Sequence, residues 1–366
     1  MFNYTPYIPK VSFKLIILVV IYFCFLTNVQ AKNTKVLFIN PGKTGGTFWT
    51  MVSNFMEAVA YDLNIQLNIK YAERDMFKML KIAENAIKSN HKPDYTVIVN
   101  EKNTGGRLLK ILAPHTNVIF INNALGDREE SQFRASSKFG YKLISSLTPD
   151  HFQAGKDIAN HIITAARNQN KTGKIGIIAI GGNKRTPASI LRVNGLKSYS
   201  SSSPNIKIYQ TIYSQWRRDN AEAQITGLLR RWPNVRGIWA ANDDMALGAI
   251  DALDKTQLKP GVDVFVGGLN CSKEGLKNVL SRKMITTVGG HFMLGGWSLV
   301  LIKDHSKGLF VPPKLMIPMM AINQKNIETW NSKFEKQNWG QIDFSTFTRH
   351  TNKNKVYDFS LSSILK

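Results

Sequence analysis

The chain has 366 residues, of which 43% are hydrophobic and 20% are charged, and its formal net charge is +23. A chain of this length and apolar content can bury the core of one large or two medium domains, which excludes a disordered protein. Its lysines and arginines are scattered, with no run longer than two, so they indicate a basic surface and no nucleic-acid partner is expected.

The first 31 residues are typical of a secretory signal peptide. Lys10 and Lys14 precede an acid-free apolar run at 15–26, and a V-x-A cleavage site ends at Ala31. The run is shorter than the roughly 20 apolar residues that a membrane span needs, so cleavage is expected rather than permanent anchoring.

The two cysteines have different expected fates. Lipidation at Cys24 is disfavoured, because bulky Phe23 precedes it where a small residue is required. Cleavage of the signal would leave Cys271 alone, so no intramolecular disulfide is expected even in an oxidising compartment.

The stretch F-I-N-P-G-K-T-G-G-T-F-W at 38–49 contains the letters of a phosphate-binding loop. Such a loop needs a further glycine at position 37, where the sequence has Leu37 inside an apolar run. A nucleotide hydrolase is therefore disfavoured.

Short apolar runs alternate with amphipathic stretches through the rest of the chain, which predicts parallel sheets covered by helices. Strands are expected at 36–40, 66–71, 96–100, 118–122, 174–180, 206–212, 237–240 and 264–267. Helices are expected at 48–63, 76–89, 107–113, 152–167, 188–200, 220–232 and 246–253. The fold class is α/β, with two doubly wound parallel-sheet lobes that face a cleft.

Polar amides follow many of these runs, as in Asn40, Asn100, Asn122, Asn242 and Asn270. One such residue could simply cap a helix or shape a turn. Their recurrence at strand ends favours a ligand cleft.

Four segments resemble the type I periplasmic sugar-binding proteins. They are A-N-D-D-M-A-L-G-A at 241–249, S-I-L-R-V-N-G-L at 189–196, Y-S-Q-W at 213–216 and V-G-G-L-N at 266–270. The lactose-repressor-type regulators share this fold but begin with a DNA-binding headpiece, where this chain has the expected signal peptide. The resemblance implies a periplasmic protein.

The resemblance also implies a hinge that the chain crosses three times. The N-terminal lobe would comprise residues 32–144 plus 292–322, and the C-terminal lobe residues 145–291. Residues 316–322 resemble the last hinge-crossing strand, and 323–366 would form a closing helix at 326–337 and a strap from Trp339 onwards. A disordered tail is the alternative for the strap.

The expected ligand-binding residues follow from the same resemblance. Phe48 and Trp49 match a paired aromatic motif, one member of which could be core, and Trp216 matches the aromatic residue of the opposite lobe. Arg192, whose fork can grip two vicinal oxygens, and the amides of Asn122, Asn242 and Asn270 would bind hydroxyl groups. Asp243 is expected to cap the helix that follows.

The sequence departs from the family at two acidic positions. Asn270 stands where sugar binders usually have aspartate, and Asn122-Asn123 stand where ribose binders have Asp-Arg. This suggests a modified or anionic ligand, such as a sugar acid, a phosphate ester or a borated furanone, although Asp150 or Glu101 could supply a carboxylate instead.

No catalytic, metal or cofactor site is expected, because the seven histidines show no metal-ligand spacing on one helix face and no nucleophile motif is present. His291 near the hinge is either a ligand contact or a surface residue. The resemblance implies a monomer that delivers a small polyhydroxylated ligand to an inner-membrane ABC permease. A receptor that docks on a membrane sensor kinase is the alternative.

Overall fold

Two sheets with the same strand order form the body of the protein. The computed structural model describes residues 1–2, 33–169, 173–334, 339–351 and 356–365. The expected signal peptide, with Cys24 and its cleavage site, lies outside the described residues except for Met1 and Phe2. None of the described helices is both long enough and apolar enough to cross a membrane.

Within the described residues, the first sheet has the order β2-β1-β3-β4-β5-β11 and the second the order β7-β6-β8-β9-β10-β12. The pairs in the first sheet are parallel, and in the second sheet β12 runs antiparallel to β10. The strands are β1 (Lys35–Asn40), β2 (Gln66–Tyr71), β3 (Tyr95–Ile98), β4 (Asn117–Ile121), β5 (Leu143–Pro149), β6 (Ile175–Gly181), β7 (Ile206–Tyr213), β8 (Val235–Ala240), β9 (Phe265–Leu269), β10 (Met284–Gly289), β11 (Lys314–Ile317) and β12 (Met320–Ile322).

Helices connect the strands and cover the sheets. They are α1 (Thr47–Asp62), α2 (Met76–Lys88), α3 (Gly105–Leu112), α4 (Asp127–Ala135), α5 (His151–Gln169), α6 (Pro187–Ser201), α7 (Arg218–Arg231), α8 (Asp243–Leu253), α9 (Lys273–Leu280), α10 (Leu294–Ser306), α11 (Ile327–Phe334) and α12 (Leu361–Leu365). This arrangement is the two-lobed α/β fold that the sequence predicted.

The chain passes between the two sheets three times, after β5, after β10 and after β11. The crossings lie side by side, because Pro149 pairs with Ile317 and Gly289 pairs with Met320. The segment 316–322, expected as one strand, is two short strands in different sheets. Pro318 separates them, since proline cannot donate to a ladder.

Strand β5 was missed at the sequence level, and residues 145–149 belong to the first sheet rather than to the second lobe. Ser145 and Ser146 at its centre interrupt the apolar run that would otherwise identify a strand in the sequence. Their burial is tolerated because the Ser145 hydroxyl donates to the Pro312 carbonyl at 2.7 Å and the Ser146 hydroxyl to the Glu130 carboxylate at 3.4 Å. Strand β10, which pairs with β9 and β12, was also not predicted.

The described residues of 339–365, which we call the C-terminal strap, pack on helix α10. The Phe359 ring stacks on Trp297 with centroids 4.9 Å apart and planes 8° apart. The carboxylate of Asp304, which is fully buried, accepts the His350 N–H at 3.0 Å and the Tyr357 hydroxyl at 2.8 Å. The strap is therefore held by aromatic packing at its centre and by a buried carboxylate beside it.

Candidate functional site

A cavity of about 320 Å³ lies where the loops at the carboxyl ends of the two sheets meet. This is the end at which open α/β sheets place their ligand sites. All seven residues that the sequence predicted as ligand contacts line it, namely Phe48, Trp49, Asn122, Arg192, Trp216, Asn242 and Asn270. The first three belong to the first lobe and the other four to the second.

The loop after β1 holds Trp49 against the cavity. The Asn40 side chain accepts the Gly42 N–H at 2.8 Å and donates to the Trp49 carbonyl at 3.2 Å. A Cβ atom on Gly42 would lie 2.4 Å from the Trp49 Cβ, so a larger residue cannot occupy that position without moving the tryptophan. Gly42 therefore makes room for an indole rather than for a phosphate.

Phe48 and Trp49 both line the cavity, although the sequence left one of them for the core. Trp49 is 4% exposed. Phe48 is half-buried and stacks on the His291 imidazole, with ring centroids 4.5 Å apart and planes 23° apart. The first lobe thus presents an aromatic wall that continues into the hinge at His291.

Trp216 supplies the aromatic surface of the second lobe. Its backbone is left-handed, with φ of 65°, which is rare for a bulky residue. Its indole fits because Gly182 lacks a side chain, since a Cβ there would lie 2.2 Å from the ring. The Arg192 guanidinium carbon lies 5.8 Å from the ring centroid, within the range of a cation–π contact.

Helix α6 carries Arg192 into the cavity by packing closely on α5. A Cβ atom on Gly155 would lie 2.0 Å from the Arg192 carbonyl oxygen, and one on Gly195 would lie 2.1 Å from the Phe152 carbonyl oxygen. The two helix backbones therefore touch at these glycines. This contact places Arg192 beside His151 at the start of α5.

Arg192 is buried, at 3% exposure, and its guanidinium is bound by neutral groups. Nη1 donates to the Ala241 carbonyl at 2.7 Å, Nε to His151 Nδ1 at 3.3 Å, and Nη2 contacts His291 Nε2 at 3.5 Å. Burial lowers the pKa of Arg192 to about 9, which is still above neutral pH. The guanidinium is therefore charged at pH 7.

These contacts define the protonation of the two histidines. Arginine can only donate, so His151 Nδ1 and His291 Nε2 are acceptors and each ring carries its proton on the other nitrogen. The His151 Nε2–H donates to the Asn122 carbonyl at 2.9 Å. Burial, and then the Arg192 charge, hold the pKa of both rings well below 6.5, so both are neutral at pH 7.

The structure corrects the predicted cap of α8. Asn242, not Asp243, caps this helix, since its side-chain oxygen accepts the Met245 N–H at 2.9 Å. Asp243 is fully buried and accepts from the Ser272 N–H at 2.8 Å and the Thr287 hydroxyl at 2.7 Å. Its carboxylate ties α8 to the loop before α9 and to β10. The Asn242 amide nitrogen donates to the Trp216 carbonyl at 3.5 Å.

Asn122 and Asn270 have side chains with unused hydrogen-bonding capacity. Both have a positive φ, of 62° and 142°, and are 6% and 4% exposed. The Asn122 side-chain oxygen is buried without a partner among the described residues. The Asn270 side chain forms no hydrogen bond with any other described residue, so both amides are available to a ligand.

Two carboxylates line the cavity, and both are already engaged. Glu101 lies 3.4 Å from the Arg74 guanidinium, and Asp244 accepts from the Thr47 hydroxyl at 3.2 Å. Burial raises the pKa of Asp244. Asp150, the other carboxylate considered from the sequence, lies outside this cavity, in a smaller one beside Met316.

The two lobes contact each other across the cavity. The Ala188 N–H of the second lobe donates to the Asn123 side-chain oxygen of the first at 2.8 Å. The Asp244–Thr47 hydrogen bond also joins the two lobes. Direct polar contacts therefore bridge the two walls of the cavity.

Sequence reasoning missed several residues that line the cavity or support it. Arg74, Thr186 and Gln215 line it without having been predicted. His151 was not predicted either, and it accepts a hydrogen bond from the Arg192 guanidinium. Arg74 and Gln215 have left-handed backbones, a property that their residue types do not reveal. Among the described residues, no three His, Cys, Asp or Glu side chains converge as a metal site would require.

Comparisons with known proteins agree with this geometry. The sequence family described as "Periplasmic binding protein domain" matches residues 36–309. A solved periplasmic sugar-binding protein from Pseudomonas fluorescens is 30% identical and superimposes with a TM-score of 0.83, covering 91% of this chain and 100% of that one.

Two curated relatives from Escherichia coli (strain K12) are more distant. The D-allose-binding periplasmic protein is 25% identical over 73% of this chain and 83% of its own length. A galactofuranose-binding protein is 22% identical over 48% of this chain, and the match spans about half, 54%, of that relative.

Proposed function

Since the chain belongs to the periplasmic binding protein family, we propose that it captures one sugar or sugar-like molecule between its lobes and delivers it to an ABC importer. The relatives named above are binding proteins rather than enzymes, and we infer the same for this chain. The observation that carries the proposal is the convergence of the seven predicted residues on one cavity with walls from both lobes.

Such a cavity suits a polyhydroxylated ring. The faces of Phe48, Trp49 and Trp216 would cover its C–H surfaces, and the amides of Asn122 and Asn270 would bind its hydroxyl groups. Arg192 would add a charged hydrogen bond in a site with little access to water.

Ligand binding would stabilise the closed arrangement of the lobes. A ligand that contacts both walls binds the closed form better than the open form, and it can shift the equilibrium only by this difference in affinity. The closed form would then be recognised by the importer's permease. The comparisons give no support to the alternative of a sensor-kinase receptor.

The place of action follows from the same proposal. The protein would be exported through the signal peptide at 1–31, cleaved after Ala31, and would act in the periplasm as a monomer. The proposed function requires neither a cofactor nor a nucleic acid.

A thermal-shift screen with sugars, sugar acids, polyols and autoinducers tests the proposal, because a cleft ligand raises stability with the logarithm of its saturation. At least one compound is expected to raise the melting temperature of the wild type. The substitutions Arg192→Ala and Trp216→Ala should abolish that shift while the variants still unfold cooperatively.

The exposed Arg230 on α7 provides a matched control, since Arg230→Ala removes the same charge far from the cavity lining and should keep the full shift. Full shifts in both cavity variants would show that the ligand binds elsewhere. A screen without any shift would contradict the proposed function itself.

A further inference from the structure

The walls of the cavity carry more positive than negative charge. Its lining includes five basic side chains, Lys43, Arg74, Lys102, Arg192 and Arg217, and two carboxylates, Glu101 and Asp244. Some of these charges compensate each other: Arg74 pairs with Glu101, and Arg217 pairs with Asp219 outside the lining. Arg192 forms no salt bridge with a carboxylate of the described residues, and the buried Asp243 carboxylate raises its pKa without pairing with it directly.

Arg192 also has unused donors. A guanidinium carries five N–H groups, and three of them are directed at the Ala241 carbonyl and the two imidazoles. Two N–H groups therefore remain, on a buried side chain that lines the cavity. A buried cation without an anion in direct contact is costly, and one ligand group bound to these donors would relieve that cost.

Two neighbours of Arg192 are unpaired donors as well. The His291 Nδ1 carries a proton, is buried and has no partner among the described residues. The Trp216 indole N–H is equally buried and unpaired. Both rings line the cavity, and both contact Arg192.

This cluster of donors selects among ligand groups. A hydroxyl group both donates and accepts, and it would leave Arg192 without an ion pair. An ionised carboxylate only accepts, can take several hydrogen bonds at once and neutralises the cation. Resting on the proposed function, we propose that the ligand is a sugar acid whose carboxylate is bound by Arg192, His291 and Trp216. The Asn122 and Asn270 amides then serve the hydroxyl groups of the same molecule.

Calorimetric titration of the wild type with matched pairs tests this inference: D-glucuronate against D-glucose, D-galacturonate against D-galactose, and D-gluconate against D-glucitol. At least one acid should bind about tenfold more tightly than its neutral partner, which corresponds to about 1.4 kcal/mol, because hydrogen bonds between charged groups are stronger than neutral ones.

The outcomes separate this inference from the proposed function. If the tightest binder among the pairs and the wider screen is a neutral sugar or polyol, the inference is wrong and sugar capture stands. If none of the compounds in the pairs or in the wider screen binds, both fall.

Two substitutions test whether the donors of Arg192 and Trp216 cause the preference for the acid over its neutral partner. Trp216→Phe keeps an aromatic ring but removes the N–H, and should lower the acid-to-neutral affinity ratio about fivefold. Arg192→Met keeps the aliphatic stem without the charge, and should remove the preference, whereas Arg230→Met should retain it. Should Arg192→Met fail to fold in a melting experiment, an unchanged ratio in Trp216→Phe would still contradict the assignment.

Discussion

Backbone strain is concentrated at the residues that line the cavity. Six of them have a left-handed backbone without being glycine: Arg74, Lys102, Asn122, Gln215, Trp216 and Asn270. Each such residue costs of the order of 1 kcal/mol, and the cost persists only where the surroundings over-determine the conformation. At Trp216 the surroundings include Gly182, whose missing side chain admits the indole.

The neutral histidines beside Arg192 predict how stability depends on pH. Because burial and the Arg192 charge depress the pKa of His291, the unfolded chain takes up its proton first as pH falls below 6.5. The stability that the neutral ring contributes is thus present above pH 6.5 and is lost on acidification. His291→Gln should make the fall in unfolding free energy between pH 6.5 and about pH 5 shallower, by up to about 1.4 kcal/mol per pH unit.

Urea unfolding at several pH values measures this slope. The exposed His115 is the matched control, and His115→Gln should leave the slope unchanged. An unchanged slope in His291→Gln would mean that the ring is not held neutral by its burial beside Arg192.

At the scale of residues, motifs predicted which side chains line the cavity better than they predicted the contacts that support them. Trp216 and Arg192 stand in segments whose letters identify them, and the structure brings both to the cavity. His151 shows the limit, because its contact with Arg192 joins positions 41 residues apart and depends on close helix packing. No local pattern of residue types encodes such a contact.

At the scale of elements, apolar runs predicted strands well where the strand is apolar throughout. Strand β6 is buried along its whole length and was predicted within one residue at each end. Strand β5 was missed, because its buried serine hydroxyls find partners elsewhere in the chain: Ser145 donates to the Pro312 carbonyl, 167 residues later, and Ser146 to the Glu130 carboxylate. Tertiary hydrogen bonds can thus make a polar sequence a central strand.

The C-terminal strap is an element whose contribution can be measured. Phe359 is 3% exposed and stacks on Trp297, so Phe359→Ala should lower the unfolding free energy by about 3 kcal/mol, as expected for truncating a buried aromatic residue. Val356, in the same segment, is 83% exposed, and Val356→Ala should change it by less than about 0.5 kcal/mol. Chemical denaturation gives both values, and equal effects would contradict the packed strap.

On the scale of the whole molecule, direct contacts between the lobes oppose opening. Asn123→Ala removes the acceptor of the Ala188 N–H, which joins the two lobes. The affinity for the tightest-binding compound of the screen should fall about fivefold, which corresponds to a loss of about 1 kcal/mol in the free energy of closure. Calorimetry gives the affinity, and small-angle scattering should show a more expanded unliganded protein. Asn278→Ala, which affects an amide that bonds within α9, is the control and should change neither quantity.

The three adjacent crossings have a mechanical consequence. Two bodies joined at neighbouring points along a line rotate about that line more readily than they separate or slide past each other. Ligand binding and ligand release would then both depend on the angle of that rotation. A partner protein that binds both lobes and holds them apart would release the ligand without contacting it. Its torque on the hinge would be larger the farther from the rotation axis it binds.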